Sequence, residues 1–179
     1  VEAFSDHGVD VAHVWPLSQN TSNALSRGFE YDELSPPGEM FRLMEEELPG
    51  TRPLDLIGSK GRETEISVSD IDVHAFANPD KLVLYLASTS DEVTSTSIDL
   101  KSLLSEEDAA YVTYLGVEPG DEPGGVNSDS SIEEPSAKEV QQEIFVDGML
   151  NVDLDAFEIM QVVISRPTWS EDMEGYWST

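Results

Sequence analysis

The chain contains no cysteine, which excludes a disulfide framework, thiolate zinc sites and thiol catalysis. Basic residues are scarce: 9 Lys and Arg stand against 37 Asp and Glu, for a formal net charge of -28. A surface this negative repels phosphate backbones and anionic lipid, so nucleic acid and membranes are excluded as partners. No run of about 18 apolar residues occurs, so nothing reads as a membrane span. The start lacks the basic and apolar regions of an export signal. Opening on Val1-Glu2-Ala3 without an initiator Met, the chain reads as a processed protein or an excised piece.

What is present is enough to fold. Hydrophobic residues make up 39% of 179, sufficient for a packed core in one domain or one domain plus part of another. The excess of carboxylates is tolerable in salt, which screens repulsion beyond roughly 3–10 Å, or beside divalent cations that bind the carboxylates directly. Together with the absence of cysteine, this points to a secreted bacterial protein from a marine or high-salt setting.

Residues 9–15, Val-Asp-Val-Ala-His-Val-Trp, are strand-prone and stop at Pro16. A polar loop follows. Ser35-Pro36-Pro37-Gly38-Glu39 then offers a capping serine and first-turn prolines, and Met40, Phe41, Leu43, Met44 and Leu48 recur at helical spacing. The pattern predicts a strand over 9–15 and a helix over 37–48: one β/α unit. A lone β/α unit cannot bury both faces of its strand, so it must pack on a neighbouring layer or belong to something larger.

Beyond residue 55 the pattern turns to strands, predicted over 70–77, 81–88, 93–99, 110–117, 143–154 and 157–165. Asn78-Pro79-Asp80 and Asp147-Gly148 carry hairpin-turn chemistry, while 118–136 is an acidic loop rich in Pro and Gly. The expected class is mainly β: an antiparallel sandwich with Leu82, Leu84, Leu86, Phe145, Ile159 and Val163 in its core. The expected division is 1–55 for the β/α unit, 56–168 for the sandwich and 169–179 for a tail.

The order of these parts resembles a known arrangement. Gly8–Pro16, a polar loop and Pro37–Met44 are similar to the last strand and last helix of a (β/α)₈-barrel glycoside hydrolase of the β-xylosidase and arabinofuranosidase clan. Leu82–Ser88 with Ile98–Leu100, and Gly148–Leu150 with Phe157–Met160 and Val162–Ile164, resemble the accessory sandwich that follows such barrels. The resemblance implies the C-terminal part of such an enzyme, inactive by itself, because the two catalytic carboxylates lie on earlier barrel strands. It implies an upstream barrel portion as partner and carbohydrate as ligand. It also places Trp15 at the end of the last barrel strand as a sugar platform, with Gln19, Asn20 and Asn23 bonding to hydroxyls.

Other readings stand beside this one. Trp15 can also simply pack at a strand end; His13, on the same strand face, reads as a structural histidine or one in a barrel interior beside the site, and His7 and His74, which show no metal-ligand spacing, read as structural. The Glu45–Glu47 run reads as a solvated helix face. Asn127 and Asp129 sit among alternating oxygen donors that would suit calcium, but the stretch lacks the glycine and terminal glutamate of an EF-hand loop. Trp169, Tyr176 and Trp177 are either a lectin-like aromatic set or a tail folded over a core. The alternative function is a non-catalytic carbohydrate-binding or calcium-dependent interaction module of a large extracellular protein.

Overall fold

The computed structural model describes residues 25–26, 34–54, 70–105, 109–116, 136–137, 141–144 and 148–177. The predicted strand over 9–15, Phe145 and all but the last residue of the 118–136 loop lie outside them.

The fold is mainly antiparallel β and sandwich-like. Along the chain come α1 (Pro36–Glu47), β1 (Arg52–Pro53), β2 (Ile71–Asn78), β3 (Lys81–Ser88), β4 (Thr94–Asp99) and β5 (Ala109–Gly116). They are followed by β6 (Ser136–Ala137), β7 (Gln141–Ile144), β8 (Met149–Leu154), β9 (Ile159–Ser165) and α2 (Glu171–Trp177). The large sheet runs β1-β2-β3-β9-β5, with β6 and β7 both pairing β5; β4 and β8 form a second, two-stranded sheet.

Local chemistry accounts for the hairpin at its centre. Asn78 pairs with Lys81, leaving Pro79 and Asp80 as the turn, and the Asn78 side chain accepts from the Asp80 amide at 2.9 Å. Proline fixes φ at the first turn position, and asparagine mimics a backbone turn with its own carbonyl. β3 leaves this turn nearly continuous in apolar residues, as expected of a strand lying between two others and covered on both faces.

Period-two alternation then sorts side chains between two cores. On the inner face Leu82, Leu84, Leu86, Met160, Val162 and Ile164 meet Ile98, Leu150, Val152 and Leu154 of the small sheet. On the outer face Phe76, Val83, Tyr85 and Val163 meet Met40, Met44 and Leu48 of α1 and its C-cap. Helix α1 thus covers the sheet surface that the small sheet leaves open.

Three sequence expectations need correction. Residues 143–154 are not one strand: β7 pairs β5 in the large sheet, whereas β8 pairs β4 in the small one. Asp147-Gly148 therefore closes no hairpin between them; Gly148, at φ +66°, lies where the chain enters the second sheet, and its carbonyl accepts from the Leu100 amide at 2.7 Å. Val163 is buried, but on the face toward α1, and Ile159 points the same way and is only half-buried. Sequence periodicity gives the alternation but not which side receives which layer. The C-terminal residues fold back over the inner core, with Trp169 and Met173 inside it.

Candidate functional site

The residues singled out for sugar contact, Trp15, Gln19, Asn20 and Asn23, lie outside the described residues, as do the calcium candidates Asn127 and Asp129. What the structure does show is how the chain that carries the sugar candidates reaches the fold. The Ser35 amide donates to the Leu25 carbonyl at 3.0 Å, and Ser26 and Leu34 form a β-bridge. Ser35 also caps α1, its hydroxyl accepting from the Gly38 amide at 3.2 Å. A Cβ on Gly38 would lie 1.9 Å from the Leu25 oxygen, so the close approach of backbone to helix requires glycine there.

Helix α1 is in turn fixed to the sheet by directional bonds. The Gln161 amide nitrogen donates to the Leu43 carbonyl at 3.1 Å and to the Tyr85 hydroxyl at 3.0 Å; that hydroxyl donates to the same carbonyl at 3.3 Å. Burial pushes the Tyr85 hydroxyl up to about 12, opposed by the Gln161 bond and helped by the charges of Glu47 and Glu46. At the helix end Lys81 bonds the Glu47 carboxylate at 2.8 Å and its carbonyl at 3.3 Å, placing a cation at the negative end of the helix dipole. On the solvent side Arg42 bridges Glu39 and Glu46, both at 2.7 Å, and the Glu39 bond foremost raises its pKa. The acidic run is thus solvated at Glu45, which is exposed, while Glu46 and Glu47 take cations.

A second constellation lies where β1 meets α2. Arg52 stacks its guanidinium 4.4 Å from the Tyr176 ring centre and 4.7 Å from that of Trp177. Tyr176 and Trp177 meet edge to face at 5.0 Å, and Trp169 lies 5.6 Å behind Trp177. The Trp169 indole donates to the Pro79 carbonyl at 2.8 Å, tying the set to the β2–β3 turn. Sequence reading found the three tail aromatics by their clustering; Arg52 gave no local signal, because it stands more than a hundred residues away.

Glu158 is buried, and its carboxylate accepts from the Asp155 amide at 3.0 Å, closing its own turn. Among the described residues no group of three or more His, Asp or Glu could hold a metal ion, and no helix is long and apolar enough to cross a membrane.

No protein-family model and no curated protein matches the sequence. Among solved structures, the chain is similar to a family 30 endoxylanase from Clostridium papyrosolvens C71, with TM-score 0.47 and 13% identity over 74% of this chain and 28% of that one. It is similar to the family 30 subfamily 8 xylanase Xyn30A from Clostridium acetobutylicum, with TM-score 0.46 and 14% identity over 80% of this chain and 31% of that one. A 4-O-α-L-rhamnosyl-β-D-glucuronidase from Fusarium oxysporum 12S gives TM-score 0.44 and 14% identity over 73% and 30%. The chain spans less than a third of each of these proteins. These neighbours are glycoside hydrolases, and at TM-scores below 0.5 the likeness assigns neither fold nor activity.

Proposed function

We propose that this chain is the C-terminal part of a secreted, polysaccharide-acting glycoside hydrolase. In this reading the sandwich stabilises an upstream barrel and the 8–28 segment forms one wall of the substrate cleft. Trp15 stacks on a sugar ring, and Gln19, Asn20 and Asn23 bond to its hydroxyls. No catalytic carboxylate comes from this chain. The observation that carries the reading is the order of parts. The barrel-like Gly8–Pro16 run and polar loop lead through Leu25 and Ser26 onto α1, whose Pro37–Met44 sequence carries the resemblance, and α1 lies on an antiparallel sandwich.

The test is a panel of chromogenic glycosides given to the isolated chain and to the full-length precursor. Turnover is expected from the precursor alone, since hydrolysis needs two carboxyl groups about 5–10 Å apart with divergent pKa values. Trp15→Ala in the precursor should lower kcat/KM by about tenfold or more, because a misplaced ring reacts poorly. Turnover by the isolated chain, abolished by changing one of its own carboxylates, overturns the reading. A second reading, a non-catalytic glycan-binding module, is favoured by the packing of α1 on the sheet, which leaves that helix seated within the described residues.

A further inference from the structure

We propose that the end of the sandwich carrying Phe157 and Val93 is a docking site for a cationic protein segment that bears an apolar side chain. The proposal goes beyond the hydrolase reading and does not rest on it.

The starting observation is the backbone of Phe157. Its φ of +55° lies in the left-handed region, where a bulky residue is an outlier and glycine or asparagine is the usual occupant. Gly148 meets the same need at φ +66° in the usual way. Phe157 is held there by its surroundings. From the β9 side its amide donates to the Ser90 carbonyl at 3.1 Å, and the Ser88 amide donates to the Glu158 carbonyl at 2.9 Å. From the β2 side the Thr89 amide donates to the carbonyl of Asp70, a second left-handed residue at φ +79°. The strained turn is therefore well fixed, yet the ring it directs is 42% exposed and belongs to neither hydrophobic core. Val93, 69% exposed, precedes Thr94, whose partner is Leu154, so it shares this end of the sandwich. A turn serving the fold alone gains nothing from an aromatic in a strained, exposed position, whereas a turn that presents an anchor does.

Charge selects the partner. Among the described residues the Lys and Arg side chains are Arg42, Arg52, Lys81, Lys101 and Arg166. Arg42 is held by glutamates of its own helix. The other four stand at the opposite end of the strands: Arg52 beside Ala77, Lys81 at the start of β3, Lys101 just past β4, and Arg166 with its amide on the Asp80 carbonyl. The exposed charges near Phe157 and Val93 include Asp70, Asp91, Glu92 and Asp153, with no described Lys or Arg among them. Acid is spread over the whole chain, so charge by itself locates nothing. The apolar pair locates the contact, and the uncompensated acid around it sets the sign of the partner. A lysine- or arginine-bearing segment is attracted here, while an apolar side chain set among its cations covers the ring and Val93. A neutral glycan makes no use of that charge.

The test is a two-dimensional NMR titration of the chain with three synthetic nonapeptides: lysines around a central leucine, lysines around a central serine, and glutamates around a central leucine. The first is expected to shift the Phe157 and Val93 amide signals, with an affinity that falls as NaCl is added. The serine peptide should bind at least about threefold more weakly, because it lacks the anchor. Phe157→Gly relieves the left-handed strain, so it should leave the melting temperature unchanged or raised while weakening the leucine peptide at least about threefold. Val93→Ser, at a position too exposed to matter for folding, should weaken that peptide as well. Equal binding of the leucine and serine peptides, or shifts spread over the acidic surface and unmoved by both substitutions, show general charge attraction and overturn the site. A Phe157→Gly chain that melts lower also overturns it, since the ring is then part of the fold. Equal binding of the glutamate peptide, or shifts of the same signals by xylohexaose but not by the lysine peptides, overturns the cationic assignment.

Discussion

The two faces of the large sheet bury similar apolar strands but are closed in different ways. The inner face is mainly aliphatic, with Met160, Trp169 and Met173 among its members. Leu82, Leu84 and Leu86 stand opposite Leu150, Val152 and Leu154, and their contacts have no preferred direction. The outer face combines far fewer hydrophobes, Met40 and Met44 among them on the helix side, with Tyr85, Gln161 and Lys81 bonding to α1. Methionine adapts to its neighbours and specifies position poorly, so the hydrogen bonds must set where the helix sits. The inner face therefore supplies most of the stability, and the outer face supplies the register of α1 and of the segment attached to it.

That contrast can be broken from the inner side first. Leu84→Ala, at a fully buried position, should cost about 2–5 kcal/mol in denaturant unfolding. A loss well under this range would mean that the inner core does not dominate. Next comes the join to the N-terminal segment. Gly38→Ala forces a Cβ against the Leu25 carbonyl and should cost roughly 1–3 kcal/mol. Amide exchange should quicken at Ser35 while strand amides in β3 and β9 keep their protection.

The outer network predicts smaller effects. Gln161→Leu removes two hydrogen bonds from the Leu43–Tyr85 cluster and should cost about 1 kcal/mol. Tyr85 adds a pH signature. Its folded pKa, about 12, lies above the ordinary value of 10.0, so the folded state holds the proton more tightly. This contribution is complete below pH 10 and fades as the pH rises toward 12. Tyr85→Phe should flatten that part of the alkaline decline, and an unchanged profile would show that Tyr85 stays solvated. Lys81→Met should have the smallest effect, at most about 1 kcal/mol, and one that shrinks as NaCl is added, because the pair with Glu47 is partly exposed. For the whole acidic surface, NaCl and CaCl₂ compared at equal ionic strength separate screening from cation binding by their shifts in Tm.

Much of this fold is legible in the amino-acid order. The strand runs read at 70–77, 81–88 and 93–99, observed within a residue as β2, β3 and β4, the Asn78-Pro79-Asp80 turn and the Ser35 cap with its prolines all reflect backbone geometry, which neighbouring residues fix by themselves. The cluster of Trp169, Tyr176 and Trp177 was visible for the same reason. Tertiary structure alone decided which partners these elements meet. It placed β9 between β3 and β5, sent β7 and β8 to different sheets, turned Val163 toward α1 and brought Arg52 to the tail aromatics. These outcomes depend on which distant surfaces exclude water together, and hydrophobic burial has no direction along the chain that a local pattern could record.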